Sequence, residues 1–255
     1  MANSAVATTI LECRRQLRSR GSIAAEHPLT LEEAYRVQTE LARTREAEGD
    51  PIIGYKLGLI SRAKQEQMKV SEPIIGHLHR SMLIQPGEPI ARHRFIQPRV
   101  EPELAVVFGR TPAEKARVSD LLACIAYVQL VVDVLDSIYA GYRFTAADVV
   151  ADNASWGAVV VSGRPLPPEV LWRQEGALRL SLDGGEWTEG ALADLGDPVA
   201  LVAWAAEQAR RLGRGIREGD MLLLGAPCPA VLIGAAQMLV AEGPGGSRLV
   251  APIVE

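Results

Sequence analysis

Two carboxylates raise the first chemical question. In the stretch PRVEPELAVV, Glu101 and Glu103 stand two residues apart, and on an extended strand such residues share a face. Like charges held side by side repel, so the pair needs solvent, a shared proton or a cation. A solvated strand end would satisfy them. So would a hard divalent ion, Mg2+ or Mn2+, which prefers carboxylate oxygen. Pro102 between them donates no hydrogen bond, which predicts an edge, a strand start or a bulge. Further along, VVDVLDS places Asp133 and Asp136 inside an otherwise apolar run. Charged aspartate is rarely buried without a partner. Their spacing sends them to opposite faces of a regular strand, so only one of them can join the glutamate pair.

A cation lies upstream. GYKLG sets Lys56 among apolar residues. A covered strand leaves that ammonium three options: an anion that keeps it charged, desolvation that lowers its pKa and suits it to proton transfer, or a stem that crosses apolar surface to water. VVADNASWG concentrates Asp152, Asn153 and Ser155 between apolar runs. These residue types suit a turn, and equally a polar loop that orients a substrate carboxylate. His77 and His79 share a face in GHLHR without an evident third ligand, so they read as structural.

The elements that must position these groups follow from the pattern of apolar residues. Thr30 and Glu33 fit a capping box, and Leu31, Ala34, Val37 and Leu41 recur at helical spacing until Gly49 and Pro51 end the run. An earlier helix is expected from about Ala5 to Arg18. After Pro51 the chain turns to strands: IIGYKLGLI, RVEPELAVVFG, WGAVVVSG, the alternating Leu178, Leu180 and Leu182, GDMLLLGA and SRLVAPIVE. VSDLLACIAYVQLVVDVLDS reads as a short helix capped by Ser119 and then a buried strand. Asp197 and Pro198 open one amphipathic helix that stops near Gly213. EGPGGSR lacks the lysine-serine/threonine ending of a phosphate loop and reads as a hairpin turn. Strands and helices do not alternate regularly, which argues against a doubly wound parallel sheet. The expected class is α+β: an N-terminal helical cap region over residues 1–75 and a mixed β catalytic core over 76–255.

Bulk composition narrows the partners. The 255-residue chain is 48% apolar with a net charge of −4, and its basic residues form no block, so neither composition nor charge suggests nucleic acid. No apolar run reaches the ~18 residues needed to span a bilayer, which argues against a membrane. No basic-then-apolar leader is evident at the start, and Cys13, Cys124 and Cys228 lie far apart without metal-type spacing. Reduced thiols in a cytoplasm are the expectation.

Taken in order, GYKLGLISRAKQEQM, QPRVEPELAVVFGR, YVQLVVDVLDSIY, VVADNASWG and GDMLLLGA resemble the hydratase/decarboxylase branch of the fumarylacetoacetate hydrolase superfamily, from about Leu29 to the C-terminus. The resemblance implies a mixed β-sheet barrel or roll core behind an N-terminal helical region, with Mg2+ or Mn2+ held by three carboxylates. It places Glu101 and Glu103 as paired metal ligands and Asp133 as the third, where the family usually has glutamate. It places Lys56 as the active-site lysine, and Leu57, Gly58, Asp152, Asn153 and Ser155 beside a small 2-oxo acid substrate.

The branch includes 4-oxalocrotonate decarboxylase and 2-oxopent-4-enoate hydratase, neighbouring steps of meta-cleavage aromatic catabolism. SRAKQEQMKVSEPIIGHL resembles the decarboxylase, as does YAGYRFTAADVVADNAS. The resemblance therefore implies decarboxylation of 4-oxalocrotonate to 2-hydroxypenta-2,4-dienoate and CO2, with hydration as the alternative. A non-catalytic partner subunit of the same fold is the third option. It further implies a homo-oligomer and a complex with a homologous hydratase. Ile138 stands where the family often has arginine, and Leu224 where threonine is common.

Overall fold

Thr30 starts the long N-terminal helix in the way its sequence requires. Its hydroxyl accepts from the Glu33 N–H, and the Glu33 carboxylate reaches back to the Thr30 N–H. A cap of this kind stabilises a helix by about 1 kcal/mol. The computed structural model describes residues 2–255, without the side chains of residues 2 and 3. Its helices are α1 (Ala2–Arg15), α2 (Ile23–Glu26), α3 (Leu31–Ala47), α4 (Arg62–Met68), α5 (Val118–Leu122), α6 (Ala146–Ala151), α7 (Val170–Arg173) and α8 (Pro198–Arg211). The strands are β1 (Ile52–Gly58), β2 (Ile74–His79), β3 (Leu83–Ile84), β4 (Ile90–Ala91), β5 (Arg99–Phe108), β6 (Ile125–Leu135) and β7 (Ala158–Val161). They continue with β8 (Ala177–Leu182), β9 (Thr188–Ala191), β10 (Met221–Leu223), β11 (Val231–Leu232), β12 (Met238–Gly243) and β13 (Ser247–Val254).

The strands form two mixed sheets. One has eight strands, in the order β2-β1-β10-β5-β6-β7-β3 with β11 added to β5, and the other runs β4-β13-β12-β8-β9. β1 runs parallel to β10 and β3 parallel to β7, while β5 and β6 form a long antiparallel ladder. Leu104, Val106, Val128 and Leu130 of the first sheet share a core with Leu180, Leu239 and Leu249 of the second. α8 adds Val202 and Ala205 to that core. Alternation sets this up: in β13, Ser247, Leu249, Ala251 and Ile253 are buried while Arg248 and Val250 are exposed. The N-terminal helices pack separately, with Ile10, Val37 and Leu41 against Val150 of α6 and Ile74 of β2.

Three expectations shift. The division at residues 75 and 76 runs through β2, and β1 lies inside the eight-stranded sheet. The helical region therefore ends with α3, and the strand that carries Lys56 is joined by main-chain hydrogen bonds to the strands beside the carboxylates. Pro102 lies in mid-strand rather than at an edge. β10 pairs only with Ala105–Val107 of β5 and β11 only with Arg99 and Val100. The missing N–H of Pro102 falls in the gap between them, where no ladder needs it. α5 begins at Val118 with Arg117 as its cap residue, so Ser119 lies inside the helix.

Candidate active site

Register brings the carboxylates together. Glu101 sits directly across from Asp133 in the β5–β6 ladder, and Glu103 is one step further along the same face. Oxygen atoms from the three side chains lie within 4.8 Å of one another, and all three residues are buried. Lys56 reaches the same face from β1. It is level with Leu223 of β10, which is level with Ala105 of β5. Its Nζ lies 2.5 Å from Asp133 Oδ2, and both side chains are 1% exposed. The contact is a charge pair whose angles fall short of an aligned hydrogen bond. Glu103 Oε2 accepts from the Gly225 N–H at 2.7 Å. Gly225 has φ +86°, and a Cβ there would come within 2.9 Å of Ile60, so glycine is needed for this donor to reach the carboxylate.

The electrostatics are unbalanced. Burial pushes Glu101 up to about 7, opposed chiefly by the Lys64 ammonium, with the Asp133 charge pushing it further up. Burial raises Glu103 well above its ordinary value, and the charges of Asp133 and Glu101 add to the rise. Burial also raises Asp133, against the pull of Lys56. Among the described residues Lys56 is the one cation in contact with the three buried carboxylates, while Lys64 acts on Glu101 from further off. Glu103 Oε1 and Asp133 Oδ1 are buried without a donor among the described residues. Orphaned oxygen atoms and an all-carboxylate donor set with a single cation in contact fit a hard divalent cation. Cys228 lies near enough to feel Glu101 and Glu103, and burial, with their charges, pushes its thiol up to about 11.

The group opens into a cavity of about 560 Å3. Lys56 and Glu101 form part of its wall, and Lys64, Arg99 and Arg143 bring further positive charge. Met68, Phe144 and Pro229 supply apolar wall. Lys64 rides on α4, none of whose residues is buried, and left-handed residues Leu59 and Lys69 flank that helix.

The expected site residues divide. Lys56, Glu101, Glu103 and Asp133 converge. Gly58 and Ser155 line the cavity. Leu57 borders it too, but strand alternation sends its side chain to the opposite face, into the core between the sheets. Asp152 and Asn153 are not brought to the cavity. Asp152 accepts from Arg14 at 2.6 Å and from the Ile138 N–H at 3.1 Å. Asn153 accepts from the His77 N–H and donates to the His77 carbonyl. Asn153, Ala154 and Ser155 are all left-handed, with φ of 53°, 55° and 59°. Each such residue is strained, and Gly76 makes room for the turn, since a Cβ there would lie 2.8 Å from the Asn153 carbonyl oxygen.

Asp136 faces away from the triad, as its spacing predicts, and its carboxylate accepts from Arg14 and from the Ile96 and Gln97 N–H groups. The histidines also lie off the site: His77 is buried, with burial pushing it down to about 3, and His79 Nδ1 contacts the Asp50 carbonyl.

Sequence reading missed Lys64, Arg99, Arg143, Gly225 and Arg14. Arg99 carried a usable signal, because it precedes Glu101 by two residues and so shares its face. Lys64, Arg143 and Gly225 lie in stretches that carry the family resemblance but were not singled out, and Arg14, from a distant segment, left no signal.

Residues 50–254 match the family described as Fumarylacetoacetate (FAA) hydrolase C-terminal. The chain is 37% identical to a 2-keto-4-pentenoate hydratase of Burkholderia vietnamiensis, over 80% of this chain and 78% of the relative. It is 32% identical to a 4-oxalocrotonate decarboxylase of a Pseudomonas species, over 83% and 82% of the two chains. Among solved structures, it resembles 4-oxalocrotonate decarboxylase from Pseudomonas putida G7 complexed with magnesium and adipate. The TM-score is 0.91 at 30% identity, over 99% of this chain and 97% of that one. That agreement extends to the mixed sheet core and the helical N-terminal region. With its family model, its relatives and its fold in accord, this chain belongs to the fumarylacetoacetate hydrolase family.

Proposed function

We propose that this chain is a divalent-metal-dependent carbon–carbon lyase that decarboxylates 4-oxalocrotonate to 2-hydroxypenta-2,4-dienoate and CO2. The observation that carries this reading is charge. Four cationic side chains (Lys56, Lys64, Arg99 and Arg143) line a cavity built over three carboxylates. A divalent ion among those carboxylates leaves a surplus of positive charge in the cavity, which suits a dianionic substrate. The relative of known structure with TM-score 0.91 carries the decarboxylase name.

Glu101, Glu103 and Asp133 would hold Mg2+ or Mn2+. The ion would supply Lewis-acid polarisation of the adjacent carboxylate and ketone oxygens, commonly several kcal/mol of charge stabilisation. The chain's own groups do the rest. The bond from C5 to the departing carboxylate breaks, and its electron pair shifts through the alkene toward the 2-oxo oxygen. The Lys56 ammonium would stabilise or protonate that oxygen. Ser155, fixed by the left-handed turn, is proposed to touch the substrate, together with Gly58 and the Leu57 backbone. Asp152 and Asn153 are proposed to act through that turn by holding it in place.

Hydration of 2-hydroxypenta-2,4-dienoate is the second reading, favoured by the 37% identity to a hydratase. The two substrates differ in charge, and the assay separates them. CO2 release from 4-oxalocrotonate with Mg2+ supports the first reading. Ultraviolet loss of 2-hydroxypenta-2,4-dienoate without CO2 release from the diacid would replace it with the second.

A further inference from the structure

Arg99 is an arginine without an acceptor. It lines the cavity, and among the described residues its guanidinium makes neither a hydrogen bond nor an ion pair, while its Nε is buried with no partner. Arg99 is half-buried, and the cost falls on that Nε, which a ligand acceptor in the cavity would relieve. It is nevertheless held in place. Its Cζ sits 4.4 Å from the centre of the Tyr142 ring, and the Tyr142 hydroxyl donates to the Leu135 carbonyl at 3.0 Å. Leu135 is the residue across the ladder from Arg99. The arginine is therefore braced by the two strands that carry the carboxylates. Arg143 is exposed, and Lys64, half-buried as Arg99 is, rides on α4 rather than on a strand of the sheet.

Position adds a second argument. Arg99, Glu101 and Glu103 alternate along one face of β5. Two residues of strand advance about 6.7 Å, a distance comparable to the separation of the end carboxyls in an extended six-carbon diacid. We propose that Arg99 reads the second carboxylate of a dicarboxylic substrate whose 2-oxo end lies at the carboxylate triad, and so selects diacids over monoacids. This rests on reading the triad as the 2-oxo acid end of the site. The planar fork suits a carboxylate bidentately, which a lysine cannot match. The contact must be given up as CO2 leaves, so it stabilises bound substrate more than the transition state. Its loss should fall mainly on KM.

The test is calorimetric binding of adipate and of hexanoate to the Mg2+-loaded protein, which needs no turnover. Wild type should bind adipate at least tenfold more tightly than hexanoate. Arg99→Met should lose at least tenfold in adipate affinity, with hexanoate changed less than threefold. Arg99→Lys, which keeps the charge and guards against a folding defect, should recover only part of the loss. Equal affinities in wild type, unchanged adipate binding in both variants, or equal loss for both acids would overturn the assignment. Adipate selectivity that depends on Arg99 without CO2 release would keep it and remove the decarboxylase reading. CO2 release with Arg99-independent selectivity would do the reverse.

Discussion

Lys56 Nζ lies 2.5 Å from Asp133 Oδ2, and the two side chains are 1% exposed. Two residues that are 77 positions apart in the chain thus form a buried ion pair beside two further buried carboxylates. The cation partly offsets the triad and, in the proposed reaction, faces the developing oxyanion. Substituting Lys56→Met should lower turnover more than tenfold. Mn2+ affinity, read by calorimetry, should change little, because the three carboxylates proposed as donors remain. Unchanged turnover would remove Lys56 from the mechanism.

Glu103→Gln removes one donor charge and leaves the Gly225 contact possible. Mn2+ affinity should fall at least tenfold. The metal-free protein should melt at a higher temperature than wild type, because one buried like charge is gone. Unaltered affinity in a Mn2+ titration would move the ion elsewhere.

The pH response of the metal-free protein follows from Glu101. Its pKa is raised from 4.5 to about 7 by burial, so between those values the folded state binds more protons than the unfolded state. Stability contributed by this group is therefore lost as pH rises through that window. The proposed Mg2+ site requires the ionised form, so the rise in melting temperature on adding Mg2+ should be larger at pH 7.5 than at pH 5.5. At a free concentration of 100 Kd the ion should add about 2.7 kcal/mol. An increment that shrinks with rising pH would contradict this.

Arg14 donates to Asp136 and Asp152, which are almost fully buried. Arg14→Met leaves both carboxylates without their cation. The loss of stability in urea denaturation should be about 3 kcal/mol, the usual cost of removing one partner of a buried pair. Asp152 is already pushed up to about 6, and in the variant it should rise further. A loss below about 0.5 kcal/mol would show the network to be unimportant.

Chelation provides a direct check on the metal. Treatment with EDTA should abolish turnover, and Mg2+ or Mn2+ should restore it. Full activity after exhaustive chelation would exclude a role for the ion.

Local chemistry made much of this legible in sequence. The capping box at Thr30, the Asp197–Pro198 helix start and the turn at EGPGGSR all depend on residues within a few positions of one another. The shared face of Glu101 and Glu103 follows from the period of a strand, and so does the opposition of Asp133 and Asp136. What periodicity could not supply was long-range pairing. That β1 lies beside β10, that Asp133 stands across from Glu101, and that Arg14 rather than a near neighbour holds Asp136 and Asp152 are matters of which strands and helices meet. Asp152 and Asn153 show the limit most plainly. Their residue types suit a polar substrate loop, yet the left-handed turn spends both on Arg14 and the His77 backbone and leaves Ser155 facing the cavity. Residue type and spacing offered the candidate carboxylates, and resemblance chose Asp133 among them; only the packing of distant segments decided which of them converge, because burial and orientation depend on neighbours that no local pattern encodes.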